Sequence, residues 1–180
     1  MQEGMLFHTL DQPDSWVYVS QFSCQLRPLE PVLLLRAWNK VMARHQLLRA
    51  GFVWEGLDRP VQVIGREVAL PSSSEDWRGV PGPQRSARLE ALLVSDRHRG
   101  FQLSKAPLMR LSLIRLDNDE YQLIYTHHHI ILDGWSFYLV LSEVLTLYEA
   151  FVKDREAVLP EPKPYRDFVR WLHHRCDPAL

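Results

Sequence analysis

Tyr121-Gln122-Leu123-Ile124-Tyr125-Thr126-His127-His128-His129-Ile130-Ile131-Leu132-Asp133-Gly134 is an apolar and aromatic run that ends in three histidines and an Asp-Gly pair. Its composition predicts a strand over residues 121–129. The polar turn Asp117-Asn118-Asp119-Glu120 precedes it. Before that turn, Leu108, Arg110, Ser112 and Ile114 alternate with Met109, Leu111, Leu113 and Arg115, a period of two that predicts a partner strand over residues 108–116. The two strands read as a hairpin. Downstream, Leu139, Val140, Val144, Leu147 and Phe151 recur at helical spacing and predict a long helix over residues 135–153. Gly134 is read as the residue that permits the strand-to-helix corner.

The same punctuation divides the rest of the chain. A short helix is predicted over residues 2–10, with Met5, Leu6 and Leu10 on its apolar face, then a turn at Gln12-Pro13-Asp14-Ser15. A strand is predicted over 17–26. A helix is expected from Pro31 to Arg44, since proline is tolerated in a first helical turn. Strands are predicted over 48–54 and 60–64. Residues 71–83, with three Pro, two Gly and three consecutive Ser, read as a surface loop. An amphipathic helix over 84–99 turns Leu89, Leu92 and Leu93 inward and stops at Gly100. Pro160-Glu161-Pro162-Lys163-Pro164 is a stiff linker to a last helix over 165–175. The predicted class is an α/β sandwich, with helices packed on a largely antiparallel or mixed sheet.

Composition bounds the function. The 180 residues carry 21 Lys and Arg against 22 Asp and Glu, for a net charge of -1. A nucleic-acid binder would need a basic stripe, so that class is disfavoured. Six Trp, six Tyr and seven Phe are too many to bury for a disordered chain. The six tryptophans are expected mostly in the core or at an interface. The length suits one domain, at most two small ones. No run of about 20 apolar residues occurs, so no membrane-spanning helix is expected. Met1-Gln2-Glu3-Gly4 has neither a basic region nor an apolar signal core, so the expected location is the cytosol. Cys24 and Cys176 form no framework and read as reduced thiols.

The histidine run carries the chemistry. Side chains alternate along a strand, so His127 and His129 are expected on one face and His128 on the other. A histidine titrates near pH ~6.5 and can act as a general base at neutral pH. Asp133 is placed to orient the loop by pairing with a buried arginine. Zinc is a rival reading, with His127 and His129 as two ligands and His8, His45 or His98 as a third. A buried, purely structural histidine is the commoner role for any one of them.

His128-His129-Ile130-Ile131-Leu132-Asp133-Gly134 matches HHxxxDG, and three further stretches join it. Arg44-His45-Gln46-Leu47-Leu48-Arg49-Ala50-Gly51-Phe52 resembles RHxxLRxxF. Gly100 to Arg110 resembles FDLxxxPLxR, with Gln102 where Asp is usual. Tyr165-Arg166-Asp167-Phe168-Val169-Arg170-Trp171 resembles YxDYxxW. Residues 1–8 look like an opening helix of the same proteins. Together the motifs resemble the N-terminal lobe of a nonribosomal peptide synthetase condensation domain, of the chloramphenicol-acetyltransferase-like superfamily.

That resemblance implies a chloramphenicol-acetyltransferase-like sandwich and a chain covering the N-terminal subdomain over residues 1–180, without the C-terminal subdomain. It implies amide formation between a carrier-bound thioester donor and the α-amine of a carrier-bound acceptor, with this half inactive alone. His129 would be catalytic, His128 more structural, Asp133 an ion-pair partner of Arg44 or Arg49, and Gly134 a backbone requirement near the reacting centre. His127 lies outside the motif. No cofactor or metal is expected to bind directly; substrates would arrive on phosphopantetheine arms. Expected partners are donor and acceptor peptidyl carrier proteins, the C-terminal condensation subdomain and an adjacent adenylation domain, with no nucleic acid and no membrane. Epimerisation, a free-standing acyltransferase and a non-catalytic docking domain remain alternatives on the same fold. Heterocyclisation is disfavoured, because those domains carry a two-Asp version of the motif.

Overall fold

The computed structural model describes residues 2–12 and 15–176, without the side chains of 172–174 and 176. The predicted turn over 12–15 therefore lies partly outside the described residues, as does the Cys176 side chain. Helix α1 (Gln2–Asp11) leads into strand β1 (Val19–Leu26) and helix α2 (Pro31–Arg44). A 3-10 turn (Gln46–Arg49) precedes the strands β2 (Ala50–Val53) and β3 (Val61–Ile64). Then follow β4 (Ser72–Asp76), α3 (Gly82–Arg99), β5 (Met109–Arg115), β6 (Tyr121–His128), α4 (Gly134–Val152) and α5 (Tyr165–Cys176).

The main sheet has the order β1-β6-β5-β4. The predicted β5–β6 hairpin forms, with Leu113 opposite Leu123. β1 pairs antiparallel with the other edge of β6, placing Ser20 opposite His127. β4 runs parallel to β5, which makes the sheet mixed. β2 and β3 form a separate antiparallel pair.

β4 corrects the reading of residues 71–83 as a loop. Ser72, Ser73 and Ser74 have poor strand propensity, but they pair with Leu111, Ser112 and Leu113 at the sheet edge. A few residues on, Trp77 seals the edge: it is buried, and its Nε1–H donates to Glu75 at 2.8 Å. Neighbouring backbone overrode local composition here.

Helices cover both faces. On one, Leu111, Leu123 and Tyr125 pack with Leu34, Trp38 and Val41 of α2 and Val140, Val144 and Leu147 of α4. On the other, Ile114 and Ile124 meet Trp77, with Leu89, Leu92 and Leu93 of α3 packed against them as expected. α4 is long and apolar enough to cross a bilayer by length and composition, but one of its faces is committed to this core. Of the tryptophans, Trp38 and Trp77 are core residues, whereas Trp16, Trp135 and Trp171 are substantially exposed.

Candidate active site

β6 is the sheet's central antiparallel strand, and it ends one residue earlier than expected, at His128. His129 opens the turn into α4, yet its backbone N–H still donates to Tyr18 O at 2.7 Å. The three histidines therefore stand in three different environments.

His128 is a structural fastener. It is buried, its Nδ1 accepts the Ile130 N–H at 3.1 Å, and its Nε2 lies 3.4 Å from Thr9 Oγ1. An Nδ1 that accepts a backbone N–H carries no proton, so Nε2 carries it. His127 is buried on the opposite face, its ring parallel to Phe137 of α4 and 5.8 Å from it. His129 alone is half-exposed, and its Nδ1 is buried without a hydrogen-bond partner. Gln2 Nε2 on α1 donates to Ile130 O at 2.9 Å and pins the turn from outside.

Burial, reinforced by the neighbouring His129, pushes His127 and His128 each down to about 4. An unfolded histidine titrates near ~6.5. Between those values the unfolded chain binds protons that the fold refuses, so stability is intact above about 6.5 and falls as pH drops. Each ring costs ~1 kcal/mol at pH 5.5 and ~3 kcal/mol at pH 4 by the usual linkage relation. Thermal melts are expected to show a steep loss between pH 6.5 and 4.5. A flat profile over that range would contradict the burial of both rings.

Asp133 does not pair with either arginine. It is the N-cap of α4, and its Oδ1 accepts the Ser136 N–H at 2.7 Å. Those bonds hold its carboxyl below the usual carboxylate range, and His129 is close enough to add to the effect. A carboxylate at a helix N-terminus is already satisfied by backbone donors and the helix dipole. Arg44 instead meets Glu143 of α4 at 3.1 Å and donates to Pro160 O at 2.6 Å. His45 Nε2 reaches the same Glu143 carboxylate at 2.9 Å. Arg49 donates to Met42 O at 3.2 Å and to the carbonyls of Gly65 and Arg66, closing the C-terminal end of α2 onto β3.

Asp133→Ala is thus expected to cost about 1 kcal/mol, as for a lost N-cap. A buried ion pair broken from one side would cost about 3–5 kcal/mol. A drop of a few degrees in melting temperature supports the cap; a drop several times larger would restore the ion-pair reading.

Gly134 is the first residue of α4, and its φ lies outside the left-handed region. A Cβ there would meet nothing within 4 Å, so the corner does not need glycine's conformational freedom. The zinc alternative gains nothing, since among the described residues no three His, Cys, Asp or Glu side chains gather to hold a metal.

Among the described residues, a buried Asp–Arg pair lies elsewhere. Arg110 Nε on β5 donates to Asp96 Oδ1 on α3 at 2.6 Å, both side chains being nearly buried. Thr126 Oγ1 donates to Asp96 Oδ2 at 2.6 Å, and Gln21 Nε2 does so at 3.0 Å. One carboxylate therefore ties α3 to β5, β6 and β1. Burial alone would raise its pKa, but the bonds from Arg110, Thr126 and Gln21 outweigh it and leave the carboxyl below its ordinary value. The Arg110 guanidinium also lies 4.3 Å over the Phe101 ring, which meets His128 edge-on. Asp96 was legible in principle: it continues the inward stripe of Leu89, Leu92 and Leu93 at helical spacing.

A cleft of about 640 Å³ opens beside the turn. The 3-10 turn and the first turns of α4 and α5 line it, with Ile131, Ser136, Leu139, Tyr165 and Trp171 on its walls. Tyr165 is close enough to Asp133 for its charge to raise the phenol's pKa, although burial raises it more.

Known proteins resemble this chain in sequence and in fold. The chain is 40% identical over 172 residues to a linear gramicidin synthase of Brevibacillus parabrevis. It is 39% identical over 173 residues to bacitracin synthase 1 of Bacillus licheniformis. Each match covers 96% of this chain and 3% of the relative. The fold matches the starter condensation domain of rhizomide synthetase, with a TM-score of 0.85 and 22% identity, over 99% of this chain and 43% of that one. The family defined as the condensation domain matches residues 1–177. The chain belongs to the condensation-domain family.

Proposed function

We propose that this chain is the N-terminal part of a domain that forms an amide between a carrier-bound acyl thioester and the α-amine of a carrier-bound aminoacyl acceptor. The observation that carries it is the division of labour among the histidines. His127 and His128 are buried and held neutral, while His129 is half-exposed at the strand end with an unpartnered nitrogen. In the reaction the amine nitrogen attacks the thioester carbonyl, and His129 takes the proton that the nitrogen sheds. The tetrahedral intermediate then collapses, the C–S bond breaks, and the proton passes to the departing thiolate. Phosphopantetheine arms on donor and acceptor carrier proteins would deliver both substrates, with an adenylation domain supplying the acceptor residue.

The chain spans less than half of the solved starter condensation domain that it matches. Trp135, Tyr138 and Leu139 stand largely exposed along α4, and Phe168 and Trp171 are half-exposed on α5. An apolar strip of that kind suits burial against the rest of the domain. The decisive experiment supplies loaded donor and acceptor carrier proteins to the intact synthetase and identifies the product by mass spectrometry. A new amide supports the reading. An inverted α-carbon or an ester would replace it with epimerisation or alcohol acylation, and no product would favour a docking role.

A further inference from the structure

We propose that Gln2 and Thr9 of α1 are positioning residues for His129, bracing the turn between β6 and α4 through both polar groups of the Ile130 backbone. The proposal rests on the condensation reading above for its catalytic consequence, though not for the brace itself. Gln2 and Thr9 stand two helical turns apart, with the buried Met5 and Leu6 between them on the same face. α1 has only 10 residues, a length marginal for a helix on its own, so its place is set by what that face touches. Both polar ends of the face meet the histidine turn. Gln2 Nε2 donates to Ile130 O at 2.9 Å, and Thr9 Oγ1 lies 3.4 Å from His128 Nε2.

The contact at Thr9 reaches the backbone through the His128 ring. Thr9 Oγ1 donates its own proton to Met5 O at 2.8 Å, which leaves its lone pairs to accept. The facing Nε2 therefore keeps the imidazole proton, and Nδ1 stays free to accept the Ile130 N–H at 3.1 Å. A proton on Nδ1 would set donor against donor there. Ile130 is buried, so water is a poor substitute for either partner. Gln2 thus holds the carbonyl, and Thr9, through His128, holds the amide of the residue that follows His129. Tyr18 O accepts the N–H of His129 itself at 2.7 Å. The backbone is fixed on both sides of the half-exposed His129 ring. A general base works only within hydrogen-bond reach of its proton, so a ring free to drift by ~1 Å loses rate rather than binding.

The test uses the intact synthetase. Thr9→Val keeps the shape and loses the hydroxyl, Thr9→Ser restores it, and Gln2→Met keeps the length and loses the amide donor. Hydrogen exchange is read by mass spectrometry over residues 129–133, and kcat and KM for amide formation are measured with loaded carriers. In the Val and Met variants, exchange is expected to quicken about tenfold and kcat to fall about tenfold to a hundredfold, with KM unchanged within about twofold. The Ser variant should recover most of both. Unchanged exchange in either the Val or the Met variant, an intact kcat, or a Ser variant no better than Val overturns the proposal. Should a variant fail to fold, Thr9→Ala or Gln2→Ala takes its place; if those also fail, α1 merely supports the fold and the proposal falls. If wild type forms no amide, the condensation reading fails, while exchange still decides the brace.

Discussion

His129→Ala in the intact synthetase is expected to lower amide formation by about 10²–10⁴-fold, the usual contribution of a positioned general base. The melting temperature should change little, because the His129 ring is half-exposed and its Nδ1 bonds to nothing. His128→Ala makes the contrasting control. Its ring is buried and accepts the Ile130 N–H, so its loss should destabilise the protein as well as slow it. The measurement is mass spectrometry of the transferred product with both carriers loaded, beside thermal melts of each variant. Equal amide formation by wild type and a folded His129→Ala would remove this side chain from the chemistry and leave substrate positioning by the fold as the source of rate.

The largest stability effect is expected at the Asp96–Arg110 pair. Asp96→Ala leaves a guanidinium buried on β5 facing only carbonyls, and Arg110→Ala leaves a carboxylate buried on α3. Either change should cost about 3–5 kcal/mol, because the surviving charge stays in the interior with neutral hydrogen-bond partners and, for Asp96, only the exposed Arg99 at 3.4 Å. For a chain of this size that is a drop of about 10 °C or more in melting temperature. Asp96→Leu combined with Arg110→Met should recover much of the loss, since an apolar pair of similar volume carries no desolvation penalty. Calorimetry of the two single variants and the double variant checks this. Single variants that melt within a degree or two of wild type would show that the network contributes little.

These two predictions differ in how far the sequence reached. His128, His129 and Asp133 were legible because the residues are adjacent along the chain, and the alternation of a strand and the start of a helix are local patterns. The β5–β6 hairpin was legible for the same reason. The partners were not. Asp133 was expected to meet Arg44 or Arg49, but the N-terminal donors of α4 reached it first. Arg44 was taken by Glu143, which lies 99 residues away and carried no mark of its own in the sequence. The three serines of β4 read as a loop until β5 supplies the hydrogen bonds that make them a strand.

The sequence by itself determined the mixed α/β class, the faces that α2, α3 and α4 bury, and the strand end that presents His129. Those properties follow from periodicities of two and 3.6, which need no knowledge of what lies opposite. Tertiary structure alone decided which charge pairs with which, which histidine stays open, and where the sheet ends. Hydrogen bonds and ion pairs act over about 3 Å, and residues as far apart as Gln2 and Ile130 come within that reach only once the layers have packed.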